Sequence, residues 1–140
     1  MIGIVIVAHG GLAREYLSAV EHVVGVQDGM RAISIGAEHD RSDKQSEICT
    51  AADAVDQGDG VVIVVDMFGG SPSNLSLRAC QPDNRRILYG ANLPMLIKLA
   101  KSRQKSVGDA VRIALEAGRK YIDSQNIKPE YGTDAETRSA

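Results

Sequence analysis

The sequence predicts a single α/β domain, a three-layer sandwich in which a mainly parallel central sheet is covered by helices on both faces. Three observations carry this reading. Short apolar runs alternate with longer amphipathic segments, the pattern of repeated strand and helix units. The run Val61-Val62-Ile63-Val64-Val65 is apolar at every position, as a central strand buried on both faces requires. A length of 140 residues with 44% apolar content suits one well-filled core rather than two.

The first strand is expected over Ile2 to Ala8 and runs directly into His9-Gly10-Gly11. A first helix follows from Leu12 to Val24, because Leu12, Tyr16, Leu17, Val20, Val23 and Val24 recur at the three- and four-residue spacings of one apolar face. Gly25 stops it. A second strand covers Met30 to Ile35, and after a polar stretch a second helix begins near Asp43 and ends before Gly58. Gly60 to Val65 forms the third strand, with a helix after Ser71; Arg86 to Tyr89 forms the fourth, with a helix after Asn92. A last helix lies within Ser106 to Tyr121, where Val107, Val111, Ala114, Leu115 and Gly118 share a face. The domain therefore covers residues 1–122, and the polar remainder, 123–140, reads as a mobile tail.

A formal charge of −2 and a pI near 5.9 give no case for nucleic acid or an anionic membrane as partner. The charge is uneven, with four basic and ten acidic residues in the first sixty positions against twelve basic and eight acidic ones afterwards. Such a two-signed surface suits a charged protein partner, and scattered solvated charge explains it equally well. Cys49 and Cys80 have neither C-x-x-C spacing nor companion histidines, so reduced thiols are expected and no metal site. No apolar run approaches the roughly 18 residues of a membrane span. The first strand lacks the basic flank of a signal peptide, and a cytoplasmic protein is the expectation.

Chemistry is expected at the carboxyl ends of the strands, where open α/β sheets bind their ligands. His9 ends the first strand, and Asp66 follows the central one, where a carboxylate is costly to bury without a partner. If those strands are neighbours, Asp66 accepts a hydrogen bond from one imidazole nitrogen and turns the other outward as a nucleophile. The loop Gly69-Gly70-Ser71-Pro72 reads as a turn into a helix, with Ser71 as N-cap and Pro72 at the first helical position. Glycines let the backbone approach a ligand and a helix N-terminus favours anions, so Gly69, Gly70 and Ser71 are candidates to hold a phosphoryl group. Asn92, in the third loop Gly90 to Pro94, is a candidate supporting residue. His22 and His39 read as surface histidines, and Arg78, Arg85 and Arg86 as solvated charges near the amino end of the fourth strand.

Three segments together resemble the IIA domains of the mannose family of the bacterial phosphoenolpyruvate-dependent sugar phosphotransferase system. They are the strand running into His9-Gly10, the segment Asp66-Met67-Phe68-Gly69-Gly70-Ser71-Pro72-Ser73-Asn74, and the segment Gly90-Ala91-Asn92-Leu93-Pro94-Met95. The resemblance implies a phosphotransferase component without cofactor. In it His9 accepts a phosphoryl group from an HPr-like carrier and passes it to a IIB component or uses it as a regulatory signal; Asp66 orients the histidine and Ser71 lies beside the phosphate. It also implies a homodimer in which a strand near the C-terminus is exchanged and joins the partner's sheet. Phe68, Leu93 and Met95 are expected either to face the carrier or to belong to the core. The chain has Phe68 in an aromatic slot filled by tryptophan in better-known members, and Ser73 where phenylalanine is common.

Other readings stay open at this point. A purely regulatory phosphoprotein, or the phosphocarrier subunit of a dihydroxyacetone kinase, would share the same residues. A metal chelatase of the sirohydrochlorin type also opens with a strand running into His-Gly, but it needs a second metal-binding histidine or glutamate at that edge. A histidine phosphatase would need arginine before the histidine, where this chain has Ala8.

Overall fold

The computed structural model describes residues 1–37 and 40–127. The elements run β1 (Gly3–His9), α1 (Leu12–Val24), β2 (Met30–Ile35), α2 (Arg41–Val55), β3 (Val61–Val65), α3 (Ser71–Ser76), a 3-10 turn (Leu77–Cys80), β4 (Arg85–Leu88), α4 (Leu93–Lys101) and α5 (Val107–Lys120). The strands pair in the order β2-β1-β3-β4, all parallel, which puts the two most apolar strands in the middle.

The core is two apolar layers separated by the sheet. Alternating side chains of β1 sort to opposite faces: Ile4, Ile6 and Ala8 pack with α1, α4 and α5, while Val5 and Val7 pack with α2, Leu75 and Ala79. Both central strands are buried except at His9. No helix among the described residues is long and apolar enough to cross a membrane.

Caps set the helix limits. Asp40 accepts from the amide of Asp43 at 3.0 Å, so α2 starts at Arg41, two residues earlier than the sequence suggested. At α3 the expected cap also moves. Gly70, in extended backbone, is the N-cap, its carbonyl accepts from Asn74 at 3.1 Å, and Ser71 is already the first helical residue with Pro72 second. Ser106 caps α5, and Asn92 caps α4. Four strands make up the sheet among the described residues, and an exchanged strand near the C-terminus is not among them. Most of the segment read as a tail, 128–140, lies outside the described residues, as does His39.

Two arginines are structural. Arg103, buried in the α4–α5 connection, donates from Nε to the carbonyl of Ile2 at 2.7 Å, while the Ile2 amide donates to the Arg103 carbonyl at 2.9 Å. The start of β1 is thereby clasped from the far end of the chain. Arg85, expected as a solvated charge, has a side chain only 6% exposed. It donates to the Ala79 carbonyl at 2.9 Å and to the carboxylates of Asp53 at 2.8 Å and Asp56 at 3.2 Å. A guanidinium can be buried when carboxylates compensate it, and both come from the last turn of α2 and the residue after it. The Asp56 carboxyl is held below its usual range first by the Gly58 amide, against burial, and then by Arg85 and Asn84. Arg78 and Arg86 are exposed as expected. Arg85→Ala leaves Asp56 without its cation and should cost about 3 kcal/mol, read as a lower midpoint in urea unfolding; an unchanged midpoint would show the cluster to be energetically idle.

Candidate functional site

The register of the central strands builds the site. Val7 of β1 pairs with Val65 of β3, so His9 and Asp66 leave the sheet side by side. Gly10 then turns the chain at φ +56°, a conformation that favours glycine, and its amide bonds the Ile35 carbonyl at 2.9 Å, fixing the end of β1 against β2.

One oxygen of Asp66 receives two hydrogen bonds from His9. The His9 amide donates to Oδ2 at 3.0 Å, and ring Nδ1 lies 2.8 Å from the same oxygen. Burial alone would raise the pKa of Asp66, but the bonds from the His9 amide and ring, together with their charge interaction, outweigh it and leave the carboxyl below its usual value. Asp66 therefore has no proton to give. Nδ1 of the neutral imidazole must carry the hydrogen, and Nε2 keeps its lone pair. The two side chains sit in unlike surroundings, Asp66 11% exposed and His9 50%. The carboxylate is a mostly buried anchor and the ring edge is open to an incoming group. The second oxygen, Oδ1, is buried without a hydrogen-bond partner among the described residues.

The Gly69-Gly70-Ser71 loop passes along the outer ring edge. A Cβ at Gly70 would lie 3.2 Å from Cε1 and 3.4 Å from Nε2 of His9, so a side chain there would meet the ring. Gly69 has φ +91°. Ser71 opens α3, and its hydroxyl has no partner among the described residues. Glycine backbone at Gly70 thus lies beside the outer ring edge, and the unbonded Ser71 hydroxyl follows it in sequence at the start of α3.

Asn92 does different work. Its Oδ1 accepts from the Met95 amide at 3.0 Å, and its Nδ2 donates to the Gly118 carbonyl at 2.9 Å, so it caps α4 and ties α5 to it. Of the three apolar residues singled out, Met95 is core and Leu93 packs on the core, whereas Phe68 is 74% exposed. Phe68 stands edge-on to Tyr89, ring centroids 4.9 Å apart, and Met67 and Leu12 are also exposed. His22 is exposed in the last turn of α1, at the other end of that helix from the site. Among the described residues no group of three or more His, Cys, Asp or Glu side chains is placed to hold a metal ion. Sequence reasoning passed over Tyr16, which it counted only as a member of an apolar face. Its hydroxyl donates to the Ala91 carbonyl at 3.1 Å, at the edge of this site.

Comparison with known proteins places this geometry. Residues 3–115 match the family described as "PTS system fructose IIA component". The mannose-specific EIIAB component of the PTS of Escherichia coli strain K12 is 28% identical over 131 residues, 91% of this chain but 41% of that protein. The chain therefore spans well under half the length of that relative. The phosphotransferase system component EIIA of Streptococcus agalactiae superimposes with a TM-score of 0.78 at 27% identity, covering 89% of this chain and 97% of that one. The PTS IIA protein associated with the fucose utilization operon of Streptococcus pneumoniae gives 0.73 at 26% identity, covering 82% and 89%.

Two outcomes are expected from this geometry. The backbone at Gly70, φ −91°, admits alanine, so Gly70→Ala should fold with stability within about 1 kcal/mol of wild type. Its Cβ displaces the ring by a few tenths of an ångström, and the NMR resonance of the hydrogen-bonded Nδ1 proton should broaden or be lost. Because the folded Asp66 pKa is lowered, its stabilisation is complete above the ordinary aspartate value and is lost as pH falls through the lowered one. Asp66→Asn should flatten that acid limb in denaturant melts recorded across the acid range, and an unaltered limb would contradict the pairing.

Proposed function

Because the chain belongs to the mannose family of IIA components of the sugar phosphotransferase system, we propose that it is a phosphohistidine carrier with His9 as the phosphoryl acceptor. The observation that carries the proposal is the 2.8 Å contact of His9 Nδ1 with a mostly buried carboxylate, which leaves Nε2 free on a half-exposed ring. The donor is the phosphohistidine of an HPr-like carrier. The acceptor is a IIB component in sugar uptake or a regulatory target.

In the transfer, a bond forms between phosphorus and Nε2 as the bond between phosphorus and the donor imidazole breaks. The donor nitrogen leaves with the bonding electron pair. The Nδ1 proton stays on His9 in its bond to Asp66, so the carboxylate offsets the positive charge the ring acquires. Phosphoryl transfer depends on positioning and charge neutralisation rather than elaborate covalent machinery. The amides of Gly69 and Gly70 and the Ser71 hydroxyl are assigned to the equatorial oxygens. Phe68, Met67 and Leu12 form an exposed apolar rim for the carrier. On the family ground the protein works as a cytoplasmic homodimer, without membrane insertion. A chelatase would need a second metal-binding histidine or glutamate beside His9, and the glycine-serine loop suits an anion instead.

The test is intact-protein mass after incubation with phosphoenolpyruvate, enzyme I and HPr. Wild type should gain one acid-labile phosphoryl group, His9→Ala none, and Asp66→Asn should gain it at least roughly 10- to 100-fold more slowly, the cost of removing a carboxylate behind a metal-ligating histidine. Absence of phosphate on wild type overturns the carrier reading, and phosphate on the His9 variant overturns the assignment of the acceptor.

A further inference from the structure

Tyr16 lies one turn into α1 and is part-buried against the core layer that also holds Ala8 and Ala91. Its ring fills space as any apolar side chain would, and its hydroxyl is the feature that needs explaining. That hydroxyl donates to the carbonyl of Ala91 across 75 positions of sequence. The Ala91 amide in turn donates to the carbonyl of Val65 at 3.0 Å, and Val65 immediately precedes Asp66. A continuous chain of contacts therefore runs from α1, through the loop between β4 and α4, to the residue that carries the orienting carboxylate.

The same loop is pinned from its other side. Gly90 turns it at φ +79°, and Asn92 fixes it to α4 and α5. Tyr16 supplies the hold from α1, so the loop is gripped by three helices above the end of β3. Tyr16 also senses Asp66 directly: its phenol is pushed above the usual tyrosine range first by burial and then by the negative charge of that carboxylate. The hydroxyl thus stays protonated and available as a donor.

We infer that Tyr16 is a positioning residue for the His9–Asp66 pair, whose hydroxyl holds the Ala91 loop over the end of β3 so that Asp66 stays buried and offers a single oxygen, Oδ2, to His9. The inference rests on the carrier reading for its purpose, but not for its physics. With the loop held, Oδ1 is screened from solvent, and Oδ2 receives both the amide and the ring nitrogen of His9. With the hydroxyl gone, the loop loses its tie to α1 and water reaches the carboxylate. Water then competes with the imidazole for Asp66, and the preference for hydrogen on Nδ1 weakens. Fewer molecules present a lone pair on Nε2.

The variant that isolates this role is Tyr16→Phe, which keeps the core-filling ring and removes one oxygen. The first readout is the 15N spectrum of His9 above neutrality, which reports which ring nitrogen carries the hydrogen and requires no phosphoryl donor. Wild type should show the Nδ1–H tautomer, and Tyr16→Phe a mixture, with far-ultraviolet circular dichroism unchanged. The second readout is the rate of phosphorylation by phospho-HPr. It should fall on the order of tenfold, less than the roughly hundredfold that an ångström of misplacement costs a reacting group. Retention of the pure wild-type tautomer in Tyr16→Phe overturns the inference, and a spectrum altered only in Tyr16→Leu would show a packing role alone. These results stand whether or not His9 takes up phosphate, so failure of the carrier reading is recognised separately by the mass measurement on wild type.

Discussion

A carboxylate at the exit of a strand buried on both faces has to be compensated, and in this protein everything at the site follows from how that is done. Asp66 comes directly after β3, whose five residues are all buried. Its partner is the imidazole at the exit of the adjacent parallel strand, bonded at 2.8 Å. Only a parallel neighbour in this register brings two strand exits together, because antiparallel strands would place them at opposite edges. The sheet order and the pairing of Val7 with Val65 are thus preconditions of the His9–Asp66 contact as well as features of the fold.

The arrangement divides one ring between two environments. Nδ1 faces a nearly dry anion, where a charge-assisted hydrogen bond is strong and orients well. Nε2 faces backbone without a side chain, at Gly70. A histidine bonded on both nitrogens would be a structural residue. This one is held firmly on one side and left open on the other.

The elements and the His9–Asp66 pair were legible in the sequence because their signals are local. The all-apolar, β-branched run at Val61–Val65 reads as a central strand, and His9 and Asp66 stand at the ends of such runs. What could not be read depends on contacts distant in the chain. Arg85 looks like any surface arginine until Asp53 and Asp56 are brought to it by the end of α2. Tyr16 falls into its helix's apolar pattern, and the acceptor of its hydroxyl lies 75 positions away. Asn92 carries a plain capping signature, yet its second bond, to Gly118, belongs to the packing of α4 on α5. The start of α3 shifted by one residue because Gly70 in extended backbone can serve as a cap without a side chain, a choice that the serine beside it concealed.

The reciprocal clasp between Ile2 and Arg103 bears on the time course of folding. β1 is an interior strand, so its two edges wait for β2 and for β3, and its first peptide waits for a residue 101 positions further along. Closing loops of that size is entropically slow compared with forming the local helices. The strand made first is therefore among the last to be fully secured. His9, made before its carboxylate, thus sits on a strand whose start is clasped only once the polypeptide beyond α4 has emerged.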